Sequence, residues 1–386
     1  MNQQSHPLRT TINFNERPFL AIWEVTQACD LACGHCRASA QPDRHPDELT
    51  TEEGKNLINQ IAALQVPVFV LTGGDPVKRP DLLELIDYAR VVGVRVSLTP
   101  SATPLLTREI IFKLEQSGLA RLAVSLDGAT AATHDAFRGM SGSFARTLNA
   151  ICWANEAGLP VQINTTFSRR NIREIDILVA LMESLKIALW SVFFLVPTGR
   201  GQLSDLLNAD EFERIFSRLY RLSRTAGFDI KTTEAQHYRR FLLQQRVAER
   251  KSGIAPTTPA ERPADMIGRA PRGLNDGKGF VFISHTGEVF PSGFLPLTAG
   301  NLRQQSLASI YRDSPLFRSL RDIAQLGGKC GHCEFKEVCG GSRSRAYALT
   351  GDPMAEEPCC SYIPRGYLMP PPTVRQATTL HVLQGA

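Results

Sequence analysis

From about residue 19 to residue 227, short apolar runs alternate with stretches whose apolar positions recur at helical spacing. The runs Phe19–Val25, Pro67–Thr72, Gly93–Leu98, Arg121–Leu126, Pro160–Thr166 and Leu189–Val196 read as strands. Between them Thr51–Leu64, Pro80–Val92, Thr107–Ser117, Ser143–Ala157, Ile172–Leu185 and Ala209–Thr225 read as helices. Several carry start signals: Thr50 or Thr51 before Glu52 and Glu53, Pro80 with Asp81, and Asn208 before Asp210. Gly93, Gly118 and Gly158 stand where a left-handed residue ends a helix. Six β–α units in succession imply parallel strands joined by right-handed crossovers. A closed barrel takes eight. The pattern therefore predicts an α/β fold, a partial (β/α)6 TIM-type barrel open on one side.

Beyond Thr225 the regularity fails. Phe228–Thr232 reads as a further strand and Gln236–Lys251 as a basic helix, while Gly253–Gly279, rich in Pro, Gly and Ala, reads as a loop or linker. Phe280–Ile283 and the residues up to Phe290 predict a hairpin turning at Thr286-Gly287. These shifts divide the chain into an N-terminal extension (1–17), a barrel core (18–235), a basic helix with linker (236–279), a small cysteine-rich α+β domain (280–368) and a loosely held tail (369–386).

Composition narrows the picture. A chain of 386 residues, 43% hydrophobic and 21% charged, can bury two cores, and a formal charge of +5 is too diffuse to argue for nucleic acid. The longest apolar run, Ile187 to Pro197, falls short of the about 20 residues that cross a bilayer. The N-terminus is polar and lacks the apolar stretch of a signal peptide. A cytoplasmic, reducing setting is expected, where clustered thiols are metal sites more often than disulfides.

Of nine cysteines, three lie between 29 and 36, five between 330 and 360, and Cys152 stands alone in the helix Ser143–Ala157, read as a small core residue. Cys29, Cys33 and Cys36 are spaced Cys-x3-Cys-x2-Cys directly after the first strand, on the rim where barrels gather reacting groups. Short spacings on a loop let three thiolates converge on one inorganic core. Three ligands on a four-iron cluster leave one iron open to a small chelating molecule. A zinc knuckle with His35 as fourth ligand is the alternative, although one ion held by residues 33, 35 and 36 would be cramped.

The segment Trp23–Cys36 resembles the opening motif of the radical S-adenosylmethionine superfamily, and the resemblance spans residues 18–365. It implies a 4Fe–4S cluster on Cys29, Cys33 and Cys36 that reductively cleaves S-adenosylmethionine (SAM) to methionine and a 5′-deoxyadenosyl radical, which abstracts a substrate hydrogen. A flavodoxin- or ferredoxin-type electron donor follows from the same resemblance. After the second strand, Gly73, Gly74 and Asp75 match the family's Gly-Gly-Glu motif for the methionine amino group, with Asp75 in the Glu place. Ser125 and Arg138 suit the SAM carboxylate, or else are a helix cap and a surface ion pair. Asn164, with Ser97 or Thr99, sits at a strand end, where the resemblance implies contact with ribose or substrate, and Val196–Gly199 matches the family's adenine-side strand end.

The segment 330–360 resembles the family's SPASM or twitch auxiliary-cluster region, but Ser292 and Ser342 occupy two cysteine positions of the full form. One auxiliary 4Fe–4S cluster is therefore expected, on Cys330, Cys333, Cys339 and one of Cys359 and Cys360, with Cys360 favoured. A zinc ribbon on the same thiols is the alternative, and a zinc or iron–sulfur scaffold that does not bind SAM is the non-enzyme reading. Residues 339–352 and 231–237 resemble tetrapyrrole-modifying members, for which oxidative loss of a propionate as carbon dioxide is the expected chemistry. Maturation of a ribosomally made peptide or peptide-derived cofactor is the other substrate reading. Lys231, His237, Arg239 and Arg240 either hold substrate carboxylates or form a solvated helix face.

Overall fold

The computed structural model describes residues 12–253 and 273–368. Strands β1 (Leu20–Glu24), β2 (Val68–Thr72), β3 (Val96–Leu98), β4 (Arg121–Ser125), β5 (Val161–Phe167) and β6 (Leu189–Phe194) lie parallel and side by side in chain order. β7 (Asp229–Thr233) extends them as a seventh parallel strand on β6. The other edge is not bare. β8 (Phe280–Ile283) pairs parallel to β1, and β9 (Glu288–Phe290) and β10 (Gly300–Asn301) follow antiparallel. The described strands thus make one ten-stranded sheet, to which the segment 280–368 contributes β8, β9 and β10.

Helices α1 (Thr51–Ala63), α2 (Leu82–Val91), α3 (Arg108–Gln116), α4 (Ala131–Arg138), α5 (Ser143–Glu156), α6 (Ile175–Ser184) and α7 (Ala209–Ser223) follow β1 to β6, and α8 (Tyr238–Lys251) follows β7. Thr50 with Glu53 and Asn208 with Glu211 close capping boxes on α1 and α7. Gly93, Gly118 and Gly158 take φ of +80°, +85° and +76°, as their positions demand. α4 lies where the sequence pattern predicts no helix. Its eight residues are too few to display a period, and Thr130 and Gly139 cap it locally. Cys152 is a second departure: Ile151 and Ala154 take the core face of α5, and the thiol turns outward to Glu156.

On each strand one face packs under the helices, as with Trp23, Leu71, Val124, Ile163 and Trp190. The opposite face mixes apolar residues such as Ile22, Val70 and Phe193 with polar ones. Ser125, Asn164, Ser191 and Lys231 form one register row across β4, β5, β6 and β7. After β10 come α9 (Leu307–Asp313), α10 (Pro315–Arg321), α11 (Gly328–His332) and α12 (Arg343–Thr350). The Tyr311 hydroxyl donates to the Phe14 carbonyl at 2.7 Å, fixing the start of the described chain. Most of the expected linker and the whole tail lie outside the described residues.

Candidate active site

The first cysteines sit on the loop after β1, clamped from three sides. The Cys29 amide donates to Gln41 O at 2.7 Å. Gly74 N donates to Thr26 O at 2.8 Å and Asp75 N to Ala28 O at 2.6 Å. A Cβ on Gly73 would lie 2.5 Å from Thr26 O, and one on Gly74 would lie 2.6 Å from Gln27 O. The loop after β6 completes the clamp: Gly199, at φ +57°, leaves room for the carbonyls of Cys36 and Arg37, and Arg200 N bonds Cys36 O at 2.9 Å. The glycines read as ligand-facing also let the β1 and β2 loops touch backbone to backbone.

Cys29 and Cys33 are buried, and Cys36 packs beside them with Leu31, Ala40 and Met140. Desolvation raises the Cys29 and Cys33 thiols, so bringing them to thiolate needs a cation at the site. Arg138 supplies part of that charge. It ion-pairs with buried Asp127, and its Nη1 stands 3.8 Å from Cys33 Sγ. His35 does not join the thiols. Its ring packs on Phe137 at 4.3 Å between centroids, with Nε2 4.0 Å from Asp127. Among the described residues no fourth donor joins the three thiols, which fits a cluster with one open iron better than a four-ligand zinc knuckle. Asp127 was not singled out in the sequence; being buried and charged beside a cationic partner is its only signal.

Next to the thiols opens a cleft lined by Leu31, Gly73, Gly74, Thr99, Ser125 and Arg138 among others. Arg138 Nε has no hydrogen-bond partner among the described residues. It leaves a donor for an anionic ligand. Asp75 does not line the cleft. Its carboxylate is fully buried, accepting from Val77 N, Ser101 N and Thr103 Oγ1, and burial raises it to about 6. These bonds tether the loops after β2 and β3. Asn164 also lies outside the cleft's lining; it accepts from Gln162 at 2.7 Å on the polar face of β5.

Cys330, Cys333, Cys339 and Cys360 line a second cavity, together with His237 and Arg240. They surround it without closing on a point: among the described residues no three His, Cys, Asp or Glu side chains sit close enough to hold a single ion. His332, between two of the thiols in sequence, places Nδ1 3.0 Å from Gly328 O. Where the full auxiliary region has cysteines, Ser342 hydrogen-bonds Glu234 and Ser292 Oγ lies 3.4 Å from Ser344 Oγ. Both serines are buried within a polar network. Of the basic residues flagged in the sequence, Arg240 pairs with Glu213 and Arg239 donates to Val338 O at 3.1 Å. Lys231 alone of the four faces the polar row.

Residues 23–182 match the family described as Radical SAM superfamily. An AdoMet-dependent heme synthase of Methanosarcina barkeri is 44% identical over 353 residues, covering 92% of this chain and 99% of that protein. One from Oleidesulfovibrio alaskensis is 42% identical over 348 residues, covering 90% of this chain and 88% of that protein. Among solved structures, Streptococcus suis SuiB bound to S-adenosylmethionine superimposes with a TM-score of 0.69 over 90% of this chain and 78% of that one, at 18% identity, a likeness of fold.

Proposed function

The chain belongs to the radical SAM superfamily, and from that premise we propose that it oxidatively decarboxylates propionate side chains of a tetrapyrrole. Enzymes of this superfamily cleave SAM reductively at a 4Fe–4S cluster to a 5′-deoxyadenosyl radical that abstracts a substrate hydrogen. In this reading Cys29, Cys33 and Cys36 hold that cluster. Gly73, Gly74, Ser125 and the free Nε of Arg138 receive SAM in the adjoining cleft, Arg138 taking the carboxylate. A flavodoxin- or ferredoxin-type donor in the cytoplasm delivers the electron.

The observation that carries the substrate class is Lys231. Its ammonium stands on the polar face of β7, in the row that runs through Ser191 and Asn164 to Ser125 of the cleft. Among the described residues no carboxylate pairs with it, and Arg121 is its charged neighbour. An ammonium on the inner face of a barrel with no carboxylate of its own suits a ligand that brings one. The two heme synthase relatives point the same way.

The chemistry balances. One hydrogen atom leaves the carbon next to the carboxymethylene, and one electron leaves the resulting carbon radical. The carboxylate's carbon–carbon bond then breaks, giving carbon dioxide and a vinyl group. Cys330, Cys333, Cys339 and Cys360 would hold an auxiliary 4Fe–4S cluster that, when bound, supplies the acceptor for that electron. Anaerobic protein given SAM, a reductant and an iron tetrapyrrole bearing propionates should yield deoxyadenosine and a product lighter by carbon dioxide and two hydrogens per side chain. Deoxyadenosine with an unchanged tetrapyrrole, while a precursor peptide changes mass, would overturn the substrate class.

A further inference from the structure

His237 stands in the wall of the cavity made by Cys330, Cys333, Cys339 and Cys360. It is fully buried, and neither ring nitrogen has a hydrogen-bond partner among the described residues. Phe212 and Phe216 hold the ring at 5.1 and 4.9 Å between centroids, so two of its neighbours offer no acceptor atom. Any imidazole carries at least one N–H, and a buried donor left unpaired costs about 1–3 kcal/mol. The other polar side chains of that wall are committed. Lys329 donates to Cys360 O at 2.5 Å, Lys336 to Gly331 O at 3.0 Å, Arg240 pairs with Glu213, Glu357 with Arg345, and Tyr362 donates to Glu334. The unspent donor and the four thiols meet in one space.

We propose that His237 donates a ring N–H hydrogen bond to a sulfur of the iron–sulfur group in this cavity and so raises its reduction potential. The inference rests on reading the four thiols as an auxiliary 4Fe–4S site. A reduced cluster carries more negative charge on its sulfurs than an oxidised one, so an N–H aimed at sulfur stabilises the reduced form. A group meant to accept an electron from a substrate radical gains driving force from such a donor. His237 is thus a positioning and tuning residue, acting through the metal group and not on substrate.

The test uses full-length protein carrying Cys29→Ala, Cys33→Ala and Cys36→Ala, so that one cluster remains to be read. His237→Phe keeps the aromatic packing and loses the N–H; His237→Gln keeps an N–H donor. The expected result is unchanged iron in both, a lower midpoint potential for His237→Phe, and recovery toward the parent value for His237→Gln. With 15N-histidine in the parent protein, weak nitrogen coupling to the reduced cluster is expected from a hydrogen-bonded ring, and this reading needs no His237 variant to fold. An unmoved potential at full iron content, or no nitrogen coupling, would overturn the donor role. So would strong coupling of ligand size, which would make His237 an iron ligand. A parent protein with zinc or no iron fails differently, since it removes the auxiliary cluster itself.

Discussion

Arg345 and Glu357 form an ion pair that is fully buried on both sides, with Nη1 of Arg345 3.1 and 3.0 Å from the two carboxylate oxygens. Arg345 belongs to α12, but its guanidinium also donates to the carbonyls of Glu234 and Leu195 and lies over Phe212. Glu357 accepts in addition from Ser342 N and Cys359 N. The pair therefore nails the cysteine-rich segment to the ends of β6 and β7. Removing one partner leaves the other charge buried and unpaired, so Glu357→Gln or Arg345→Met should cost about 3–5 kcal/mol. Anaerobic denaturant titration of the full chain reads this directly. An unmoved midpoint would mean that packing alone secures the junction.

Adjacent cysteines should behave oppositely. Cys360 lines the four-thiol cavity, whereas Cys359 is buried in the main core with its thiol 3.6 Å from Leu207 O. Cys360→Ala should remove about four of the roughly eight irons in reconstituted protein while deoxyadenosine formation continues. Cys359→Ala should keep all the iron and lose only packing stability. Iron and acid-labile sulfide analysis decides, and a reversed pattern would exchange the two assignments.

Ser125 and Arg138 both line the cleft, but only Arg138 also touches Cys33. Ser125→Ala should weaken SAM binding with normal iron content, by roughly tenfold to a hundredfold if a bond to the carboxylate is lost (about 1.5–3 kcal/mol). Arg138→Ala should weaken SAM binding and slow cluster loading together, because the charge that offsets the thiolates goes with it. Calorimetry with SAM alongside iron counts separates the two. Equal SAM affinity in both variants would remove these residues from the cofactor site.

Lys231 sets a pH dependence. Burial, aided by Arg121, brings its ammonium down to about 8. Below that value it is charged and can hold a carboxylate; above it the charge is lost. The substrate's kcat/KM should therefore fall as pH rises through about 8. Lys231→Arg should move that limb upward, and Lys231→Met should abolish it and lower kcat/KM about tenfold to a hundredfold (about 1.5–3 kcal/mol). A Lys231→Met profile that keeps the alkaline limb would assign it to another group.

Gly74→Ala should lower iron loading without unfolding the barrel. A methyl there meets the backbone oxygens of Gln27 and Ala28, which cannot yield without moving Cys29. Near-normal far-ultraviolet dichroism with reduced iron is the expected signature. Full loading would show that the loop tolerates the shift.

How much of this was legible in the sequence varied with the kind of signal. The strands and most helices followed from periodicity and caps, because Thr50, Asn208 and the three αL glycines state their roles locally. The cysteine groups were legible from spacing alone. What escaped were relations across the sheet. Asp75 stands out in the sequence by its motif, but its bonds from Ser101 and Thr103, brought in by β3, are not visible there. His237 reads as one member of a basic run until the fold turns it into the thiol-lined cavity. Cys152 reads as core because Ile151 precedes it, but one residue is a third of a helical turn and faces elsewhere.

The parallel pairing of Leu20 with Phe280 has a consequence for the order in which the chain is made. β1 is the first strand synthesised, and its partner on one side comes only after β2 to β7 are complete. Until then its edge amides are unpaired beside three open thiols, a template for sticking to another strand. Closing so long a loop is slow compared with the local β–α pairings that precede it. A chain cut anywhere between β7 and residue 280 would keep every barrel strand and still present that edge, so it is expected to aggregate more readily than the full chain.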